Sequence, residues 1–254
     1  MENACRPRAC AAGAPRLGAL GLVVGLLGAA CSEPAGLARA ATTETGSPLR
    51  WSEKTIVLKL SPERAGGTVD PGVRGALERA AGVWNSALAR CSAPRFALAA
   101  ASLVRPGISD DRTHEVLFHE RHWCSPADAD SGNCYDATRH ALTRVRPHRE
   151  PGQERDGEIR DVDLEVNGVG FAWSPRGEQP GTLSLEAMFV HELGHALGLD
   201  HPCSDAPGSA VRCDDARVLN AVMQPNAAEL FAEKPLAPLP AELETVCRSH
   251  ASLR

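Results

Sequence analysis

The stretch of sequence that decides the fold is His191-Glu192-Leu193-Gly194-His195-Ala196-Leu197-Gly198-Leu199-Asp200-His201. His191 and His195 are four residues apart, so on a helix they share one face and both imidazoles can reach one metal ion. Gly198 permits a backbone turn that a residue with a Cβ would resist, and this turn can bring His201 back as a third ligand. Three histidine ligands leave a fourth position for water, which is the arrangement of catalytic rather than structural zinc.

Glu192 follows the first histidine and can reach a metal-bound water, so it is the candidate general base. A bare His-Glu-x-x-His pattern also occurs on helices with two surface histidines, but the added glycine and third histidine make a chance match much rarer. Apolar residues around the motif favour a buried helix, namely Met188, Phe189, Val190, Leu193, Ala196 and Leu197. The sequence therefore predicts one Zn²⁺ held by His191, His195 and His201.

The extended motif resembles that of the metzincin clan of zinc peptidases, which also has a methionine turn beneath the metal. Met1 and Met188 both precede the motif, so Met223 is the only candidate for this turn. Taken alone, Met223 is equally consistent with ordinary core packing. Astacin-like and serralysin-like enzymes place a tyrosine two residues after the methionine, where this chain has Pro225. The sequence is therefore more similar to the matrixin branch, in a bacterial form.

The resemblance covers about residues 49–254 and implies a single α+β catalytic domain. Its implied parts are a twisted, mostly antiparallel-edged sheet, a long packing helix, the zinc-site helix and a short C-terminal helix. It also implies that the strand at 157–167 is the sheet edge beside the cleft, where an extended substrate would pair with it. The alternative for this strand is an ordinary one whose acidic side chains face water.

Local patterns predict several of these elements. Asp70 as a cap and Pro71 at the first helical position indicate a helix, and its apolar periodicity continues to near Arg90. Ser184 is expected to cap the zinc-site helix. Strands are predicted near Trp51 and at 56–60, 96–98, 115–118 and 141–145, with a terminal helix at 241–250.

Residues 1–31 predict a secretory signal peptide, because a basic start precedes an apolar run at 17–30 that is too short to span a bilayer. The end of this leader resembles a bacterial lipoprotein box, in which Cys31 would be lipidated and attach the protein to a membrane. Gly28 stands where such a box usually has leucine. The alternative is cleavage after Ala40, at an Ala-x-Ala site. Both processing routes export the protein.

Residues 32–48 are rich in small and polar residues and predict a flexible tether. The segment is too short for a folded propeptide, so the cysteine-switch latency of matrixins is in doubt.

Six cysteines follow the leader and Cys31: Cys91, Cys124, Cys134, Cys203, Cys213 and Cys247. An even number in an exported domain predicts disulfides. Short loops favour Cys124–Cys134 and Cys203–Cys213, which leaves Cys91–Cys247. The alternative is a thiolate metal site, but no close Cys-x-x-Cys pair supports it.

Further metal sites find little support in the sequence. Five histidines cluster in the middle third of the chain, at His114, His119, His122, His140 and His148, but their spacing does not match the structural zinc of animal matrixins. Asp156, Asp161 and Asp163 could bind Ca²⁺, although their spacing is not that of an EF-hand loop. The sequence alone therefore does not decide whether these aspartates bind Ca²⁺.

The 254 residues are 43% hydrophobic and 23% charged, with a net charge of −5, so the chain is globular and offers no basic nucleic-acid surface.

The sequence predicts an exported, monomeric zinc endopeptidase acting on protein or peptide substrates, with Glu192 as general base. Two other functions stay open. One is an inactive surface-binding lipoprotein, which the presence of Glu192 argues against. The other is a non-peptidase zinc amidohydrolase, which Gly198 and His201 argue against.

Overall fold

The computed structural model describes residues 38–62, 70–100, 108–125, 134–225 and 236–251. All of them belong to one compact unit, Pro34–Arg254. The signal peptide, Cys31 and the proline-bearing segment at 226–235 lie outside the described residues. Within the described ranges, every helix is too short or too polar to cross a bilayer.

A six-stranded sheet lies at the centre, in the order β2-β7-β5-β3-β4, with β6 also paired to β7. Its strands are β2 (Arg50–Trp51), β3 (Thr55–Ser61), β4 (Arg95–Leu98), β5 (His114–His119), β6 (Ala141–Pro147) and β7 (Glu158–Asn167). Every pairing in this sheet is parallel except that of β6 with β7. The α+β class is confirmed. The sheet is mostly parallel, and its antiparallel character is confined to one edge. Outside it, the short strands β8 (Trp173–Ser174) and β9 (Leu183–Ser184) pair in parallel.

The described part of the chain has three helices, α1 (Pro71–Ala87), α2 (Leu185–Ala196) and α3 (Pro240–Ser249). The first two begin where the sequence predicts. Asp70 accepts a hydrogen bond from the Gly72 amide at 2.6 Å, and Ser184 accepts one from the Ala187 amide at 3.1 Å. α1 ends three residues before the predicted Arg90.

The main core lies between the sheet and the first two helices. Sheet residues that are essentially inaccessible to solvent, such as Leu58 and Leu164, pack in one cluster with Trp84 of α1 and Phe189 of α2. The Trp84 indole Nε1 donates to the Val190 carbonyl at 2.8 Å, so α1 is tied to the backbone of α2 as well as packed against it. This contact fixes the helix that carries the histidine motif.

The prediction that the strand at 157–167 forms the sheet edge is wrong. β7 is an interior strand, with β2 and β5 on one side and β6 on the other, and β6 is the edge. The acidic residues of β7 suggested a solvated face, yet Asp161, Asp163 and Glu165 are completely buried. Arginines of β6 and histidines of β5 supply the hydrogen-bond partners that make this burial tolerable.

Arginines on β6 pair with the buried acids of β7. Arg146 Nη1 lies 3.1 Å from Asp161 and 2.7 Å from Asp163, and Arg144 Nε lies 2.9 Å from Glu165. Burial, reinforced by the neighbouring Asp161, outweighs the hydrogen bonds from the Glu115 amide and Arg146 and raises the pKa of Asp163 to about 7. These ion pairs fasten the edge strand β6 to the sheet from the face opposite the helical core.

The prediction of a flexible tether over 32–48 is wrong for residues 38–48. β1 (Arg39–Ala40) pairs antiparallel with β10 (Leu199–Asp200), and the Ala41 amide donates to the Gly198 carbonyl at 2.8 Å. The domain therefore begins before Leu49. Composition suggested a linker because small residues carry few side-chain contacts. This segment is instead held by backbone hydrogen bonds and by side-chain hydrogen bonds from Thr43 and Thr45 to Asp156.

Three disulfides join Cys91 to Cys247, Cys124 to Cys134 and Cys203 to Cys213, in the pairing that loop lengths favour. The first links the end of α1 to α3, and the last closes a loop just after His201. Such a set of disulfides is typical of proteins that leave the reducing cytoplasm.

We predict that a chain starting at Ala41, as cleavage after Ala40 would leave it, is less stable than one starting at Ala38. The shorter chain lacks β1 and its pairing with β10, a loss on the order of 1–2 kcal/mol. Thermal melting of the two proteins side by side measures the difference. Equal melting temperatures would show that β1 contributes nothing and that cleavage after Ala40 is compatible with the fold.

Candidate metal centre

The structure brings the three histidines of the motif together. His191 and His195 lie one turn apart on α2, and His201 follows β10. Their three Nε2 atoms form a triangle with all sides 3.1 Å. The return of the chain depends on Gly198, whose φ is +87° and whose added Cβ would lie 2.6 Å from the Leu49 carbonyl oxygen. The predicted glycine turn is therefore confirmed.

Backbone carbonyls set the tautomers of two of these imidazoles. His191 Nδ1 lies 2.9 Å from the Val222 carbonyl oxygen, and His195 Nδ1 lies 2.9 Å from the Leu199 carbonyl oxygen. A carbonyl can only accept, so each Nδ1 carries the proton and donates it. The Nε2 atoms of both rings are left with free lone pairs that point toward each other.

A positive charge is also unfavourable on two of the three rings, those of His191 and His201. Burial, reinforced by the neighbouring His195, lowers the pKa of His191 to about 3. Burial and the other two histidines lower the pKa of His201 to about 4. Neutral imidazoles with converging lone pairs repel one another unless a cation lies between them.

The triangle has the dimensions that a metal ion needs, and His191, His195 and His201 form a group that could hold one. A triangle with 3.1 Å sides has its centre about 1.8 Å from each corner, slightly less than a Zn–N bond of about 2.0–2.1 Å. The three Nε2 atoms are therefore spaced so that they would hold such an ion, and three protein ligands would leave it free to take a further ligand.

Elsewhere in the described ranges, no second group of three candidate ligands converges. Two of the five histidines of the middle third are buried in the sheet. His114 Nδ1 lies 3.1 Å from Asp161, and His119 Nε2 lies 2.9 Å from Glu165. These imidazoles are thus partners of the buried carboxylates of β7.

The three histidines lie in a cleft of about 530 Å³ between α2 and the edge strand β6. Glu192 lines this cleft beside them, and its side chain stays in contact with solvent although the residue is only 7% exposed. β6 contributes successive residues from Ala141 to Thr143 and then Val145. Pro225, which follows the candidate methionine turn, lines the cleft as well. Phe171 and Trp173, in contrast, stack with His140 and do not line it.

Met223 packs directly beneath the motif helix. It is 1% exposed, and its Sδ would lie only 2.2 Å from a Cβ placed on Gly194, the second residue of the motif's x-x pair. Because Gly194 has no side chain, Met223 can pack against the helix backbone at this position. A glycine inside a helix costs about 1 kcal/mol relative to alanine, so its presence there was a signal in the sequence that we did not use.

Glu242, a residue that we did not predict as part of the site, supports the turn from below. This fully buried residue of α3 accepts hydrogen bonds from the amides of Met223 at 2.9 Å and Leu239 at 2.6 Å, and its burial raises its pKa. A further contact of 3.4 Å reaches the amide of Val222, whose carbonyl receives the His191 proton. A proline-glutamate pattern at a helix start was the available sequence signal, since a glutamate at the third helical position often bonds back to the cap.

We predict that Gly194→Ala destabilises the protein by about 1–3 kcal/mol, the usual cost of overpacking a filled core. The new methyl group must displace Met223, so metal affinity should fall too. Gly82→Ala in α1 is the matched control, because a Cβ there meets nothing within 4 Å. It should be neutral or slightly stabilising. Denaturant unfolding measures both variants, and equal stabilities would contradict this packing of Met223.

No model of a known protein family matches the chain, and no curated protein sequence does either. The geometry of the site is therefore the basis for the function proposed below.

Proposed function

We propose that this chain is an exported zinc endopeptidase with a matrixin-like catalytic domain of the metzincin clan. The observation that carries the proposal is the triangle of three imidazole Nε2 atoms, open to a cleft that also contains Glu192.

His191, His195 and His201 would hold Zn²⁺ through their Nε2 atoms. When bound, zinc supplies a Lewis acid that polarises the scissile carbonyl and lowers the pKa of a water toward neutrality. Glu192 accepts the proton of the attacking water and returns it to the leaving amine. Met223 supports the ligand helix from beneath and does no chemistry.

The edge strand β6 supports a peptide as the substrate. Among the described residues, no strand pairs with the outer edge of β6. In an antiparallel pair, backbone groups that do not bond to the partner strand point outward, so β6 offers unused donors and acceptors along the cleft. An extended substrate segment can add to this edge as a further strand, with its scissile bond next to Glu192. The substrate role expected for 157–167 thus passes to Ala141–Pro147.

The disulfides favour an exported protein, and we keep the lipidated Cys31 and a monomeric state as parts of the proposal. β1 strengthens the case for processing at Cys31 over cleavage after Ala40, because only the former retains Arg39–Ala40 beside β10.

The decisive experiment compares Glu192→Ala with the parent protein on a quenched peptide library. We predict a loss of about 10²–10⁴ in rate, the usual contribution of general acid–base catalysis, with one zinc per chain retained. Glu244→Gln is the control, since Glu244 is exposed and pairs with Arg248 on α3. Zinc content and melting temperature are measured on the same preparations.

Parent protein that binds zinc but cleaves no peptide would contradict the proposal and favour the surface-binding alternative. Hydrolysis of small amides without peptide cleavage would favour an amidohydrolase. A Glu192→Ala variant as fast as the parent would show that another group acts as the base.

A further inference from the structure

A threonine on the edge strand contacts the candidate base. Thr143 lies in the middle of β6, opposite Leu164 of β7. Its hydroxyl is 2.5 Å from Glu192 Oε2 and 3.4 Å from the Glu192 carbonyl oxygen. A carboxylate oxygen only accepts, so the threonine hydroxyl donates, and the shorter contact identifies Oε2 as its acceptor.

The two oxygens of this carboxylate are in different situations. Oε2 is held by Thr143, whereas Oε1 has no hydrogen-bond partner within the described part of the chain. A glutamate side chain that is not anchored can occupy several rotamers. Here one hydrogen bond fixes the carboxylate and leaves the second oxygen available in the cleft.

Alternation along β6 makes Thr143 the one residue suited to this contact. Ala141 and Val145, two positions to either side, also line the cleft but carry only methyl groups. Thr143 alone of these three presents a donor. The same residue belongs to the strand that would pair with substrate, so its position relates the substrate edge to the base.

We propose that Thr143 is a positioning residue of the peptidase: it holds Glu192 by donating to Oε2, so that Oε1 is aimed at the attacking water. This inference rests on the proposed function. The edge strand β6 would then both pair with substrate and position Glu192. A loss of the hydroxyl should therefore impair proton transfer more than substrate binding.

The test compares Thr143→Val, which keeps the shape and strand propensity but lacks the donor, with Thr143→Ser, which keeps the donor. We expect Thr143→Val to lower kcat about 10- to 100-fold with little change in KM, as for a lost hydrogen bond to a charged group. Thr143→Ser should retain most of the parent kcat. Thr55→Val, an exposed strand position on β3, is the matched control.

Crystal structures of the two Thr143 variants give a second readout that does not depend on activity. In Thr143→Val the Glu192 carboxylate should leave its position, and in Thr143→Ser it should stay. Parent-like kcat in Thr143→Val, or an unmoved carboxylate, would overturn the proposal. Equal impairment of both variants would also overturn it, because that pattern indicates a packing role.

If the parent protein cleaves no peptide at all, the proposed function fails, but the crystallographic comparison still decides whether Thr143 positions Glu192.

Discussion

The site depends on two hydrogen bonds from imidazole Nδ1 atoms to backbone carbonyls. The Val222 carbonyl receives the proton of His191, and the Leu199 carbonyl receives that of His195. Each bond fixes both the orientation of its ring and the nitrogen that keeps a free lone pair. Without them, either ring could rotate or change tautomer, and the convergence of three Nε2 atoms would be lost.

Much of the surrounding fold places these two carbonyls. The left-handed turn at Gly198 presents Leu199 to His195, and β1 pairs with the strand that follows the turn. Below the helix, Glu242 of α3 holds the segment that contains Val222, and the Cys91–Cys247 disulfide ties α3 to the end of α1. Supports of this kind keep a site within the narrow tolerance that catalysis requires.

The sequence predicted the convergence of the three histidines because their spacing is local: a helix period and one glycine determine where His191, His195 and His201 can lie. The caps at Asp70 and Ser184 were predictable for the same reason. Charge patterns in the sheet were misleading. The acids of β7 look solvated until their partners are known, and Arg144 and Arg146 lie on a different strand whose register the sequence does not reveal. Glu242 lies 20 residues from Val222, and Thr143 lies 49 residues from Glu192, so no local pattern could assign these contacts.

Anomalous diffraction at the zinc absorption edge tests most directly whether three Nε2 atoms bind a metal ion in this protein. Crystals of the protein purified without added chelator should show one zinc ion, bonded to Nε2 of His191, His195 and His201 at about 2.0–2.1 Å. Val222 and Leu199 should keep their bonds to the Nδ1 atoms. A protein that takes up no zinc, or that binds it through Nδ1 or through other residues, would contradict the account.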